Sequence, residues 1–377
     1  MLARTNKRIL TILIGTSIVL ILAVAAYWNS SVVTPTDSLI KADEQVIFFP
    51  AFGQRSGDSG EWTISIHGWI FEPDEDSRVR AAGVAVFREF LGLEKGSEES
   101  EIFRRRAWPF LVDNERGKRI TVCLDDRFYP VGVSGPNGHF QGTMTLTADE
   151  VAKIGDGWRM PDGRLRYQCV TQVLDTRIFE GFVRLIESEG VSVVSDIDDT
   201  VKISEVLDRK ALLANTFLRE YRAVPGMAEL YRELAARGAC FHYVSASPWQ
   251  LYEPLAEFLK AGGFPDGTLN LRYFRVKDSS VIELLSSPEN YKHETIETLF
   301  KAFPKRKFIL IGDSGERDPE IYGALARAHS DQIERILIRE VREPPADEGR
   351  YAEAFADVPS ERVRVFREAV ELSNVLP

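Results

Sequence analysis

The tightest constraint on this chain is Val191-Ser-Val-Val-Ser195, an apolar run that breaks directly into Asp196-Ile-Asp198-Asp-Thr200. A short apolar run with a polar end reads as a buried strand. Carboxylates delivered together at one strand end repel one another, so a cation belongs among them. Alone, the stretch also fits an acidic turn closing a strand. The rest of the chain narrows that choice. Phe241-His-Tyr-Val-Ser245 is a second apolar run, ending in a hydroxyl. Lys307-Phe-Ile-Leu-Ile-Gly312-Asp313 is a third, with Asp318 completing a Gly-Asp-x-x-x-x-Asp pattern. Lys292 opens a helical pattern between the second and third runs. Strands alternating with helices mean a parallel α/β sheet with its polar groups at the carboxyl edge, where such sheets bind ligands.

The order Asp-x-Asp-x-Thr, Ser, Lys, Gly-Asp-x-x-x-x-Asp resembles the haloacid-dehalogenase superfamily of phosphatases. Val191–Lys202, Val224-Pro-Gly-Met227, Phe241–Trp249 and Ile311–Pro319 resemble the App1-type phosphatidate phosphatase catalytic domain. The likeness covers roughly the C-terminal half. It implies a Rossmann-like parallel sheet of haloacid-dehalogenase type and Mg²⁺-dependent hydrolysis of a lipid phosphate monoester, phosphatidate to diacylglycerol. A phosphatase of soluble phosphomonoesters, or a catalytically silent module that binds anionic lipid, stays open as an alternative.

The resemblance assigns roles. Asp196 is the nucleophile and a metal ligand, forming a phospho-aspartate. Asp198 is the acid/base, with its carbonyl reaching the metal, and crowding by other carboxylates should favour its protonated form. Thr200 fixes the loop, and Asp199 caps the following turn or touches substrate. Ser245 or Ser247 donates to a phosphoryl oxygen. Lys292 neutralises the charge shared by phosphate and Asp196, with Lys277 as its competitor. Asp313 completes the Mg²⁺ site and Asp318 supports it. Gly312 lets the backbone approach closely. Neither gap between motifs is long enough for a large cap domain, so the site should be fairly open.

The remainder is less specific. Arg4, Lys7 and Arg8 precede an apolar run, Ile9–Trp28, of the length a membrane-spanning helix requires, about 20 residues. The basic flank predicts a single-pass anchor with a cytoplasmic N-terminus and an extracytoplasmic catalytic domain, periplasmic in a bacterium. Ala23-Val-Ala25 keeps a cleaved signal peptide as the rival. The expected order is anchor 1–28, linker 29–43, a β-rich sandwich or barrel 44–185, and the phosphatase domain 186–375. Gly135-Pro-Asn-Gly138 marks a hairpin turn and Ala81–Leu93 a helical patch. Arg104-Arg-Arg106 reads as a solvated face, with a membrane surface or phosphate contact as the other reading. His242 reads as a core residue. Cys123 and Cys169 could pair if exported. The net charge of −10 argues against nucleic-acid binding but not against an anionic substrate met by a local cation.

Overall fold

The structure is a computed structural model and describes residues 37–55, 60–73, 77–274, 290–345 and 348–372. The run Ile9–Trp28 and Lys277 lie outside the described residues. Among the described residues no helix is long and apolar enough to cross a membrane.

The C-terminal sheet comprises β10 (Val191–Ser195), β11 (Cys240–Pro248), β12 (Gly267–Arg272), β13 (Lys307–Asp313), β14 (Ile333–Arg339) and β15 (Val363–Phe366). For the helices that matter below, α4 is Arg209–Phe217, α5 Met227–Ala236, α6 Tyr252–Ala261, α7 Tyr291–Ala302 and α8 Asp318–Ala328. The six strands run in the order β12-β11-β10-β13-β14-β15, all parallel. Both faces are covered, which is why the strands read as near-continuous apolar runs. Val193, Ile309 and Ile311 pack with α5 and α6 on one face; Val194, Phe308 and Leu310 pack with α7 and α8 on the other. The chain starts at β10, crosses to β11 on one side and later to β13 on the other. The carboxyl ends of β10, β11 and β13 therefore meet at the switch in strand order, where a crevice forms.

The N-terminal half comprises β1 (Gln45–Phe48), β2 (Ala51–Arg55), β3 (Trp62–Glu72), α1 (Ser77–Leu91), α2 (Glu101–Ala107) and β4 (Asp113–Asn114). It continues with β5 (Arg119–Leu124), β6 (Arg127–Val133), β7 (His139–Leu146), α3 (Ala148–Lys153), β8 (Leu165–Cys169) and β9 (Glu180–Ile186). It is a single nine-stranded sheet in the order β1-β3-β2-β9-β8-β5-β6, with β4 and β7 also on β3. The sheet curls until β7 lies backbone to backbone on β6. A Cβ at Gly142 would fall 1.5 Å from the Val131 carbonyl oxygen, and one at Gly132 would fall 2.6 Å from that of Gln141. The form is barrel-like rather than a sandwich. The turn at 135–138 is present, but its two strands ladder to other neighbours, β6 to β5 and β7 to β3.

Several sequence expectations give way here. From Asp37 the chain is packed rather than a free linker. Ser38 is buried, its N–H donating to the Val170 carbonyl at 2.8 Å and its hydroxyl to that of Thr121 at 3.1 Å. Cys123 and Cys169 are unpaired. Cys169 sits opposite Val122 in the ladder, so Cys123, one residue on, projects from the other face. Arg106 is not solvated. It is 1% exposed, and its guanidinium donates to the Thr216 carbonyl at 2.9 Å and to that of Arg219 at 2.6 Å, over the Tyr221 ring.

Candidate active site

β10 delivers Asp196 to the crevice as an almost fully buried residue, 1% exposed. Its backbone N–H donates to the Ile311 carbonyl on the neighbouring strand at 2.9 Å, which fixes the point where the chain leaves the sheet. β13 delivers Asp313. Asp318 opens α8 from the first turn, and Gly312 makes that approach possible: a Cβ there would fall 2.3 Å from Asp318 Oδ2. Carboxylate oxygens of Asp196, Asp313 and Asp318 all lie within 4.8 Å of one another.

One lysine of the described residues enters this group. Lys292, in the first turn of α7, is 1% exposed, so it is not the surface lysine that a helix start would suggest. Its Nζ lies 2.8 Å from Asp196 Oδ1, 2.7 Å from Asp318 Oδ1 and 2.7 Å from Glu316 Oε2. Burial works against its charge, but Asp196, Asp318 and Glu316 outweigh it and hold the ammonium well above the ordinary lysine range. Burial, with Lys292 opposing and the other carboxylates adding, pushes Asp196 well above the ordinary carboxylate range. Burial and then Asp318 push Asp313 the same way, again against Lys292.

Three carboxylates thus share one ammonium, Asp313 adds a fourth beside them, and the balance is negative. Asp313 Oδ1 accepts from the N–H groups of Gly315 at 2.6 Å and Glu316 at 3.2 Å. Asp196 Oδ2 and Asp313 Oδ2 are buried and accept no hydrogen bond from the described residues. Buried polar atoms are rarely left unsatisfied. Free oxygens, excess negative charge and an all-oxygen donor set fit a hard divalent cation.

Asp198 stands apart from this group, so its carboxylate is not one of the cation's neighbours. It points to a second lysine, Lys202, at 2.8 Å, and accepts from the hydroxyls of Ser204 at 2.7 Å, Ser245 at 2.9 Å and Ser247 at 3.2 Å. Burial favours its neutral form, but Lys202 and these hydroxyls outweigh burial and hold it below the ordinary carboxylate range. The expectation of a protonated Asp198 therefore fails: its neighbours are a cation and donors, not carboxylates. Ser245 and Ser247 are both spent on Asp198 rather than aimed at an open space. Thr200 is buried, and its hydroxyl has no hydrogen-bond partner.

Asp199, at φ 54°, closes the turn. Its carboxylate accepts from the N–H groups of Ser204 at 2.8 Å, Glu205 at 2.9 Å and Val206 at 2.7 Å. That is the capping role. Among the described residues, Ile203 to Arg222, with α4, folds back beside the crevice, and a small pocket lies beside Asp198. Val206, Leu212, Phe217, Pro248, Leu251, Ser247 and Glu316 line it.

The fold and this site describe a parallel α/β sheet whose carboxyl edge carries a buried carboxylate cluster and an attendant lysine. Residues 191–340 match the family model of the phosphatidate phosphatase APP1 catalytic domain. The chain is 34% identical over 191 residues to phosphatidate phosphatase APP1 of Saccharomyces cerevisiae, and 32% identical over 163 residues to an uncharacterized protein of Schizosaccharomyces pombe. These stretches cover 50% and 42% of this chain but only 30% and 26% of the two relatives. A phospho-aspartyl intermediate analogue of phosphoserine phosphatase is 14% identical with a TM-score of 0.32, covering 49% of this chain and 98% of that one.

Proposed function

We propose that the protein is a Mg²⁺-dependent phosphatase that hydrolyses a lipid phosphate monoester, phosphatidate to diacylglycerol foremost, through a phospho-aspartate. One observation carries this reading. Asp196, Asp313 and Asp318 meet buried around Lys292, with two oxygens unclaimed, within residues that match the family model of the phosphatidate phosphatase APP1 catalytic domain. Asp196, Asp313 and Asp318 would hold Mg²⁺, which when bound neutralises phosphate charge that would otherwise repel a carboxylate.

A carboxylate oxygen of Asp196 forms the new bond to phosphorus. The ester P–O bond breaks, its electron pair stays on the leaving oxygen, and that oxygen takes a proton from Asp198. In the second displacement Asp198, as the carboxylate, removes a proton from water whose oxygen attacks phosphorus. The bond to Asp196 breaks and the free carboxylate returns. The proton Asp198 gains is the one it delivers to the next leaving group. Negative charge arriving with substrate raises its proton affinity and makes the acid form accessible. Lys292 matches charge on Asp196, and Lys202 keeps Asp198 aimed.

The run Ile9–Trp28 would anchor the chain and place these domains outside the cytoplasm, within reach of a bilayer substrate. Protease accessibility of the catalytic domain on intact spheroplasts checks this; a protected domain contradicts it.

The function is tested by phosphate release from phosphatidate in mixed micelles and from p-nitrophenyl phosphate, with Mg²⁺ and after exhaustive chelation. Release from phosphatidate, lost on chelation and lost in Asp196→Asn, is the expected result. Release from the aryl ester alone would replace the lipid reading with that of a soluble phosphomonoesterase. Activity of Asp196→Asn within tenfold of the parent would remove the phospho-aspartate.

A further inference from the structure

Lys292 Nζ carries three N–H groups, and three carboxylates surround it at 2.7–2.8 Å: Asp196, Asp318 and Glu316. Two of these are locked in place. Asp196 leaves the sheet at a strand end, and Asp318 also accepts from the Asp313 N–H at 3.2 Å. Glu316 is different. It sits on the turn between β13 and α8, its side chain retains 20% of its surface in solvent, and it faces the pocket that reaches Asp198 and Ser247.

A phosphoryl oxygen entering that pocket needs a strong donor. The hydroxyls of Ser245 and Ser247 already donate to Asp198, and Lys202 is paired with the same carboxylate. No lysine or arginine is among the described residues lining the pocket. Among the described residues Lys292 is the cation nearest the nucleophile, and Glu316, 2.7 Å from it, is the carboxylate of this group that also lines the pocket.

We propose that Glu316 is an internal competitor for the substrate's phosphoryl group. Its carboxylate holds the third place on Lys292 while the site is empty, and a phosphoryl oxygen must displace it toward solvent before the phosphorus can face Asp196. The proposal rests on the phosphatase reading above. Its physical logic is symmetric. A buried ammonium left one partner short is costly, so the resting site benefits from Glu316. The same contact raises the threshold for phosphate, because every phosphate bound breaks a charged hydrogen bond first. Product phosphate is weakened equally, so the returning carboxylate favours its departure.

The test is calorimetric binding of inorganic phosphate to the full chain with Mg²⁺, for the parent, Glu316→Gln and Glu316→Ala. Phosphate should bind roughly tenfold tighter to Glu316→Ala, with a smaller gain for Glu316→Gln, whose amide oxygen still accepts from Lys292. KM should fall with phosphate affinity, and kcat should not rise in step, as expected when only ground-state competition is removed. Should Glu316→Ala fail to fold, Glu316→Gln carries the test, since the amide fills the same space. Unchanged or weaker phosphate binding in both variants would overturn the proposal. So would a Mg²⁺ requirement raised more than tenfold with no gain for phosphate, which would make Glu316 a cation ligand. If the parent hydrolyses phosphate esters in either case, the phosphatase reading survives that failure. If the parent neither binds phosphate nor hydrolyses any ester, both readings fall.

Discussion

Asp198 shows how far a residue's chemistry depends on what its neighbours supply. Asp196 and Asp198 stand two positions apart, yet one is crowded by carboxylates and the other held by Lys202 and hydroxyls. Lys202 is itself buried, 1% exposed, and lies over the Tyr221 ring at 4.7 Å. Removing it strands a buried carboxylate, which typically costs about 3–5 kcal/mol. Lys202→Met should therefore destabilise strongly in urea unfolding, and Lys202→Met combined with Asp198→Asn should recover much of the loss. Additivity of the two changes within about 0.5 kcal/mol would show that the pair is not coupled. At this scale the order of strand-ending acids was legible, because each acid follows a recognisable apolar run. Glu316, Lys202 and Ser204 went unassigned because their roles depend on which way a turn points. A hint existed for Lys202, whose spacing from Asp198 gives an i, i+4 pair of opposite charge.

Among the elements, β11 carries a titration that should be visible in stability. His242 is 0% exposed, its Nδ1 lies 2.9 Å from Thr268 Oγ1 on β12, and its Nε2 has no partner. Burial first, and Arg306 second, lower its pKa to about 3. His139 on β7 is likewise lowered to about 3 by burial. A histidine depressed in the folded state is neutral there while the unfolded chain takes up protons. Its contribution is fully present above the unfolded value of about 6.5 and is lost progressively as pH falls toward 3. Between pH 7 and pH 5 one such residue removes about 2 kcal/mol. The urea midpoint should fall over that interval, and His242→Asn should make the fall shallower; an unchanged slope would mean His242 does not titrate in this way. The β10–β15 sheet was legible because its strands are buried on both faces. β6 was not: Arg127–Val133 alternates poorly, is largely exposed and contains Pro130. α4 ends at Phe217. Beyond it Ile203 and Arg222 pair, their N–H and carbonyl meeting at 2.8 Å.

The whole molecule is less divisible than a β-rich domain followed by a phosphatase domain would suggest. Phe217, at the end of the helix folded beside the crevice, is surrounded by Phe87, Phe103 and Phe110 from the N-terminal half, with ring centroids 5.8, 6.3 and 5.9 Å away. On the other flank Phe49 packs on Trp249 at 4.1 Å and on Tyr252 at 4.8 Å, just past Ser245 and Ser247. Arg106 ties the same helix end to the N-terminal half, and Arg306 donates to Ser192 at 2.9 Å and to the Glu187 carbonyl at 2.9 Å, bracing the passage from β9 to β10. Those contacts could not be read from the chain, since aromatic residues in a helical patch show that a face is buried but not against what. They back α4, which lines the pocket beside Asp198, with residues of the N-terminal half. Phe103 is 0% exposed, so Phe103→Ala should cost about 3–5 kcal/mol. The loss should appear in one shared unfolding transition, followed both by tryptophan fluorescence and by loss of the proposed phosphatase activity, because the segment Phe103 supports roofs the pocket beside Asp198. Two separate transitions, with only the first moved and activity following the second, would mean that the halves fold as independent units and that the aromatic contacts do not hold the roof in place.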